Sequence, residues 1–391
     1  MDEVENDAKR RNISKPTSNF EIPKTCKAGV VVDPGDNFSV KIEEVPVPEP
    51  RRNEVLIRLN LTRICTADIH CMRARCGLDT MAKNGVKSAG HEGVGVVVKV
   101  GSNVTDIEVG TRGGIGPSGF ISIRISANPS KYITLKCARI NSLSEHAGTF
   151  QQYITVPGDS MIRIPDEVSD ETAACIMCRG GPIYKAFKMP GFEDGDWVLI
   201  LGGTAAMNGL GIQIALDMDM KPIVVADRTQ RELCLEMGAT HFVDEKKDPA
   251  KKVLRLTAGQ GPAGVFAIRA SDCRWGTHSQ YAGKDDMIVV PIHLLEASDY
   301  EWHTGGWASS DSFRNVREPP ICTIGWAMKK YTKSVFKLAA RGSLTPKYKK
   351  RPFDEFEEAI KEVKRGKVQE HVLLDFNMGS MHQPNVHSRE S

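Results

Sequence analysis

A chain of 391 residues with 40% hydrophobic and 26% charged residues has the balance of an ordinary globular protein of about two domains. Its net charge of +3 is too small to point to nucleic acid or an anionic membrane as partner, and no apolar run approaches the ~18–20 residues of a bilayer span. The ten cysteines are scattered and no apolar secretion signal precedes them, so reduced thiols or metal ligands in the cytoplasm are expected, not a disulfide framework.

Residues 1–25 are polar, start acidic and read as a disordered tail, as do residues 377–391. Short β-type runs follow: "KAGVVV", "FSVKIEEV", "EVLIRLNL" and "GVGVVVKVG", separated by prolines and glycines. This pattern predicts a partly open barrel or sandwich. The character changes near Pro165. "PDEVSDETAACIMCRGGPIYKAFK" reads as helical, with Ser169 or Asp170 as N-cap. "GDWVLILGG" is a strand ending in glycines, and "NGLGIQIALDMDM" a helix. "PIVVAD", "QRELCLEMGA" and "THFVDE" continue as strand, helix and strand. That alternation predicts a parallel α/β sheet, extended by "DDMIVVPI". Near the end, "FDEFEEAIKEVKRGK" is an amphipathic helix and "EHVLLDF" a closing strand. Pattern alone leaves open whether this last segment returns to the first domain.

"VLILGGTAAMNGLG" lies where a strand feeds a helix. Glycines there let the backbone approach a pyrophosphate at a helix N-terminus, and Gly202, Gly203, Gly209, Leu210 and Gly211 are the candidates. The same glycines would also suit a plain packing turn. Asp227 ends the next strand, where a carboxylate can accept the ribose hydroxyls of NAD(H) and repel a 2′-phosphate. The adjacent Arg228 works against that preference, because a guanidinium pairs with phosphate.

"GHEGVG" puts His91 beside Glu92 among glycines. A histidine there can be a turn residue or a ligand. "ICTADIH" upstream offers Cys65, Asp68 and His70, and "CIMC" downstream offers Cys175 and Cys178. Catalytic zinc takes three protein ligands and keeps one position open. Cys65, His91 and Cys178 make such a set, with Asp68 accepting the imidazole N–H and fixing its tautomer. Cys71, Cys76, Cys175 and Cys234 read as ordinary thiols.

The order Cys65-x-x-Asp68-x-His70, then "GHEGVGVVVKVGSNV", then Cys178 before "GGPIYKAFK", then "GDWVLILGG", resembles the zinc-dependent medium-chain alcohol dehydrogenases, most closely the fungal and bacterial tetrameric kind. "GTFQQYITVP", "LEMGATHFVDEKKD" and "VLLDF" add to the likeness, which covers roughly residues 27–376. The resemblance implies an α/β protein with a GroES-like β-rich catalytic domain (26–180, completed by a return segment, 325–376) and a Rossmann domain, a doubly wound parallel sheet (181–324). It implies Cys65, His91 and Cys178 as ligands of one catalytic zinc, with Glu92 a carboxylate able to bind the ion when water is displaced. It further implies Asp68 beside the imidazole, His70 at the outer end of a proton relay, Asp227 on the adenosine ribose, and a homo-oligomer (dimer or tetramer).

Several positions depart from that pattern. The hydroxyl two residues after the zinc cysteine is missing: Ala67 stands there, leaving Thr66 or water to pass the proton. The lobe that holds a structural zinc in the family keeps only Cys137, so no second metal is expected. The glycine loop is enlarged, His371 takes the place of an arginine in the closing strand, and Arg179 follows Cys178 where a small residue is usual. Residues 296–320 also fit the family poorly. The expected function is hydride transfer between NAD(H) and an alcohol, aldehyde or ketone, with zinc as Lewis acid and a small molecule as substrate. The rivals are a degenerate member with weak or no catalysis, and a zinc-independent reductase of activated double bonds. Against the last stands the intact cysteine–histidine set.

Overall fold

The computed structural model describes residues 20–73, 87–116, 121–122, 147–188, 191–267, 279–283, 287–291, 316–317, 323–324, 327–366 and 368–379. The β-type runs of the first third form β1 (Thr25–Val32), β2 (Ser39–Pro46), β3 (Glu54–Ile64) and, after helix α1 (Thr66–Met72), β4 (Gly93–Val100). β5 (Arg112–Ile115), β6 (Ile121–Ser122), β7 (Tyr153–Pro157) and β8 (Ile162–Arg163) follow. β1 and β2 pair as an antiparallel ribbon. β3 is the hub. It is buried along almost all of its eleven residues, because its faces pack into two cores, Val55, Ile57 and Leu59 in one and Leu56 in the other, and its backbone is paired along both edges. β4 pairs along one edge, and β7 takes the first half of the other, from Glu54 to Arg58.

Helices α2 (Asp170–Ile176) and α3 (Gly180–Lys188) lead into the α/β part. Ser169 is the N-cap, as expected, its hydroxyl accepting the Thr172 N–H. The helical run is broken, however, by a turn at 177–179. Next come β9 (Trp197–Leu201), α4 (Ala205–Asp217), β10 (Lys221–Ala226), α5 (Arg231–Glu236), β11 (His241–Asp244), α6 (Pro249–Leu256) and β12 (Gly264–Ala267). β13 (Met287–Pro291) and β14 (Val316–Arg317) complete a six-stranded sheet of order β11-β10-β9-β12-β13-β14, parallel throughout. Side chains of β9 alternate between two cores. Val198 and Ile200 pack with α4, and Leu199 and Leu201 pack with Val253 of α6. Helices therefore cover both faces, the doubly wound arrangement that dinucleotide-binding sheets share.

β15 (Thr323–Ile324) pairs with β6. Then α7 (Ala327–Ala340) packs on α3, and β16 (Tyr348–Pro352), α8 (Phe356–Lys364) and β17 (His371–Asp375) end the fold. β17 runs antiparallel to the second half of β3, from Leu61 to Ile64, on the edge that β7 leaves vacant. The return segment, left open by pattern alone, thus closes the first sheet. The apolar face of α8 enters the same core: Phe356 is fully buried, its ring 5.3 Å from that of Phe150 and 5.6 Å from that of Phe353.

Within the stretch read as a tail, the described residues from Phe20 onward are folded. Phe20 and Ile22 pack on Cys26, Leu56, Val98 and Tyr153, and the Arg58 guanidinium lies 5.3 Å from the Phe20 ring centre. At the other end the backbone N–H groups of Asn377 and Met378 donate to the Asp375 carboxylate, so these two belong to the folded chain. The lobe around Cys137, residues 296–315 and 318–320 of the poorly fitting stretch, and Cys76 lie outside the described residues.

Since Phe356 lies where α8 meets the β-rich core, Phe356→Ala is expected to cost about 3–5 kcal/mol of unfolding free energy. Urea unfolding followed by far-UV circular dichroism checks this. A loss under about 1 kcal/mol would mean that α8 is not part of that core.

Candidate active site

Four side chains of types that can ligate a metal, from three separate stretches, meet at the junction of β3, β4 and the α2–α3 turn. The ligand atoms of Cys65, His91, Glu92 and Cys178 all lie within 4.8 Å of one another, and all four residues are buried. Cys65 stands at the end of β3 as N-cap of α1. Asp68, one turn into α1, accepts the Cys65 backbone N–H with Oδ2 (2.9 Å) and the His91 Nδ1–H with Oδ1 (2.6 Å). One carboxylate so positions two of the four donors. With its proton on Nδ1, the imidazole presents Nε2 to the cluster, 3.4 Å from Cys178 Sγ and 3.3 Å from Glu92 Oε1. The Gly90 backbone just before His91 has φ +98°, and a Cβ there would strike Thr149, so the glycine of "GHE" is required. Cys178 is brought in by the break between α2 and α3.

These donors fit a tetrahedral cation. Zn–S and Zn–N bonds of about 2.3 and 2.0 Å place the edges of such a site roughly 3.5 Å apart, and His91 Nε2 to Cys178 Sγ is 3.4 Å. Cys65 is driven well below the ordinary thiol range, first by the hydrogen bond from Cys178 and then, against the opposing effect of burial, by the Arg63 and His91 charges. Cys178 is raised in turn by that shared hydrogen bond and by burial. Burial works against charge on His91, but the Asp68 carboxylate and the Cys178 sulfur prevail and raise it well above its usual value.

A buried arginine stands behind the cluster. Arg63, two residues before Cys65 on β3, grips both oxygens of Glu92, Nε on Oε2 and Nη2 on Oε1. Its Nη1 donates to His371 Nδ1 at 3.0 Å. Arg63 stays charged, because the Glu92 carboxylate and the two sulfurs outweigh its burial. His371 is held neutral by burial and by that neighbouring charge. Its ring proton is then on Nε2, which is buried without a partner.

The other expected residues are placed differently. Ala67, Cys65 and Cys178 pack as one small apolar cluster, so a methyl stands where the family pattern has a hydroxyl. Thr66 is exposed and His70 half-buried, and neither is among the converging donors. Burial pushes the Cys175 thiol far up, as expected of an ordinary packing cysteine, and Cys234 up to about 11. Arg179 is buried beside Cys178.

The dinucleotide turn is tighter than expected. Gly202 and Gly203 have φ +69° and +76° and turn the chain from β9 to Thr204, whose hydroxyl caps α4 by accepting the Met207 N–H at 3.4 Å. Gly209, Leu210 and Gly211 are not in the turn: α4 already begins at Ala205 and all three are buried inside it. Gly209 is needed for close packing, since a Cβ would come within 2.1 Å of Met237 Sδ. Asn208, also buried, donates to Gln230, which donates to the Gly203 carbonyl and braces the turn. The Ala206 N–H on the first turn of α4 is taken by the Gln369 carbonyl at 2.8 Å. Asp227 directly follows β10 and caps the short turn after it. Lys246 Nζ at 2.8 Å, with Thr229, holds its carboxylate well below the usual range. Arg228 is exposed.

Arg63, Gln230, Lys246 and Gln369 were not legible as site residues. Arg63 carried one weak signal, a cation two residues before Cys65 at the end of the run EVLIRLNLTRIC, which also carries Arg58. The other three have none, since their partners lie 19 or more residues away.

Residues 51–166 match the family described as alcohol dehydrogenase GroES-like domain. An alcohol dehydrogenase of Schizosaccharomyces pombe is 28% identical over 368 residues, covering 91% of this chain and 99% of that protein. Alcohol dehydrogenase 1 of Caenorhabditis elegans is 31% identical over 272 residues, covering 69% and 76%. Among solved structures, acetophenone reductase from Geotrichum candidum in complex with NAD superposes with a TM-score of 0.68 at 19% identity, over 91% of this chain and 98% of that one. The chain belongs to the medium-chain alcohol dehydrogenase family and is an oxidoreductase. Among the described residues, no helix is long and apolar enough to cross a membrane.

A metal ion bound here would have to displace the His91 proton and the one shared by Cys65 and Cys178. Affinity for zinc is therefore expected to fall roughly tenfold to a hundredfold for each pH unit below neutrality. Chelator competition between pH 6 and 8 measures this. A flat profile would place the metal elsewhere.

Proposed function

We propose that this protein is a zinc-dependent dehydrogenase or reductase that moves a hydride between NAD(H) and an alcohol with its aldehyde or ketone. The observation that carries the reading is the meeting of two sulfurs, one imidazole and one carboxylate within 4.8 Å, all buried. A bound zinc ion would act as Lewis acid toward the substrate oxygen, and a bound nicotinamide would accept or give the hydride.

The chain's own residues supply the rest. Cys65, His91 and Cys178 would hold the ion and leave a position for substrate. Asp68 keeps the His91 Nε2 lone pair turned to that ion, and burial keeps bulk water away. Asp227 would accept the adenosine ribose hydroxyls, with Lys246 and Arg228 close enough in the chain's charge pattern to soften its aversion to a 2′-phosphate. The unpartnered Nε2–H of His371 offers a donor on the segment that reaches the first turn of α4. With Ala67 in the relay position, the alcohol proton leaves through water or Thr66 toward His70. Residues 26–180 with 325–376 would form the catalytic domain and 181–324 the NAD domain. The described cysteines are all free and buried, which suits a reducing compartment such as the cytoplasm.

A second reading, a member that binds cofactor and metal but turns over poorly, draws on two observations. Ala67 brings no hydroxyl, and the Ala206 N–H of α4 is already satisfied by Gln369.

Metal analysis of the purified chain with an NADH absorbance assay over a panel of alcohols separates the readings. Bound zinc with turnover supports the first, zinc without turnover the second, and enone reduction without zinc neither. Cys178→Ala is expected to lose zinc and activity together, and Asp227→Ala to weaken NAD binding about tenfold by calorimetry, the loss of one or two ribose hydrogen bonds. An Asp227→Ala chain that binds NAD as tightly as the wild type would remove Asp227 from the cofactor site.

A further inference from the structure

Four donors at this cluster are one too many for a catalytic site. If Cys65, His91, Cys178 and Glu92 all bound the same ion, its tetrahedral shell would be full, as in structural sites, with no position for substrate. Something must hold one donor in reserve. Glu92 is the donor that the structure shows engaged elsewhere.

Its restraint is unusually complete for a potential ligand. Both carboxylate oxygens face the planar fork of Arg63, the pairing that binds a carboxylate with most directional strength. The backbone is fastened too: the Glu92 carbonyl accepts the Arg63 N–H at 2.9 Å and the Thr62 hydroxyl at 3.1 Å. Arg63 is itself fixed from a third side by His371 Nδ1 at 3.0 Å. Neither the guanidinium nor the carboxylate can swing without breaking a charge-assisted bond where no water replaces it. Yet Glu92 Oε1 remains only 3.3 Å from His91 Nε2, within reach of an ion held by that nitrogen.

We propose that Arg63, braced by His371, is the positioning residue that holds Glu92 as a reserve donor, and thereby sets the permanent protein ligands at Cys65, His91 and Cys178. The proposal rests on the metal reading above. Removing the fork frees Glu92 to become a fourth permanent ligand. Zinc is then held more tightly and the position meant for substrate closes.

The test uses the full-length chain loaded with Co2+ in place of zinc, as wild type, Arg63→Met, Arg63→Lys and the double variant Arg63→Met with Glu92→Gln. Two quantities are read: zinc affinity by chelator competition, and the change in the cobalt d–d absorption when free imidazole is added as an outside ligand. In the wild type imidazole is expected to shift the bands. In Arg63→Met the expected results are zinc binding at least about tenfold tighter and loss of the imidazole shift, and in the double variant the shift returns. Arg63→Lys keeps the charge without the planar fork, so its shift is expected to need about tenfold more imidazole; it carries the test alone if Arg63→Met does not fold. A purely structural arginine would lower stability without moving the imidazole response. Arg63→Met, or failing it Arg63→Lys, responding to imidazole as the wild type does overturns the proposal and leaves the metal reading standing. A wild-type chain that takes up neither zinc nor cobalt overturns both.

Discussion

The antiparallel registration of β3 between β4 and β17 is the constraint on which the site depends. Thr62 lies opposite Gly93 on one side, and Arg63 lies opposite Leu373 on the other. That register sets Glu92 and His91 beside one edge of the strand end, and His371 beside the other. A slip of one residue would turn Arg63 and Cys65 to the opposite face of the sheet and scatter the cluster. The hydrophobic core beneath holds the register, since Val55, Ile57, Leu59 and Ile64 of β3 pack with Phe150, Ile154 and Phe356.

Inside that frame the charges are arranged so that none is buried alone. Asp68 sits on His91, Arg63 on Glu92, and the thiol of Cys178 on the sulfur of Cys65. An unpaired ion at this depth would cost several kcal/mol. Each charge at this depth thus has a partner, and the four ligand atoms still lie within 4.8 Å of one another. At Ala67 there is no hydroxyl, and the two sulfurs pack against its methyl instead.

The segment before β17 joins the two halves of the molecule. Gln369 satisfies the Ala206 N–H at the start of α4, and two residues later His371 accepts from Arg63 behind the metal donors. A few residues of backbone thus connect the nucleotide turn to the carboxylate beside the metal donors. Strand pairing makes that connection stiff, because His371 to Asp375 are buried and bonded to both β3 and β16.

Much of this was legible before any coordinates. The candidate donors Cys65, Asp68, His91 and Cys178 were picked out by residue type and family resemblance, while alternating apolar runs located the strands of the first sheet and the strand–helix rhythm located the parallel sheet. These are local properties: periodicity, caps and residue chemistry act over a few positions along the chain. The glycine loop misled, because a glycine needed for a turn and one needed to pass Met237 look alike in sequence. The ion pair of Arg63 with Glu92, its brace by His371 at a separation of 308 residues, and the Gln369 contact with α4 were decided by strand register alone. Residue type says which groups can pair. Only the tertiary fold determines which of them arrive within 3 Å of one another, because that distance is set by packing across the whole sheet.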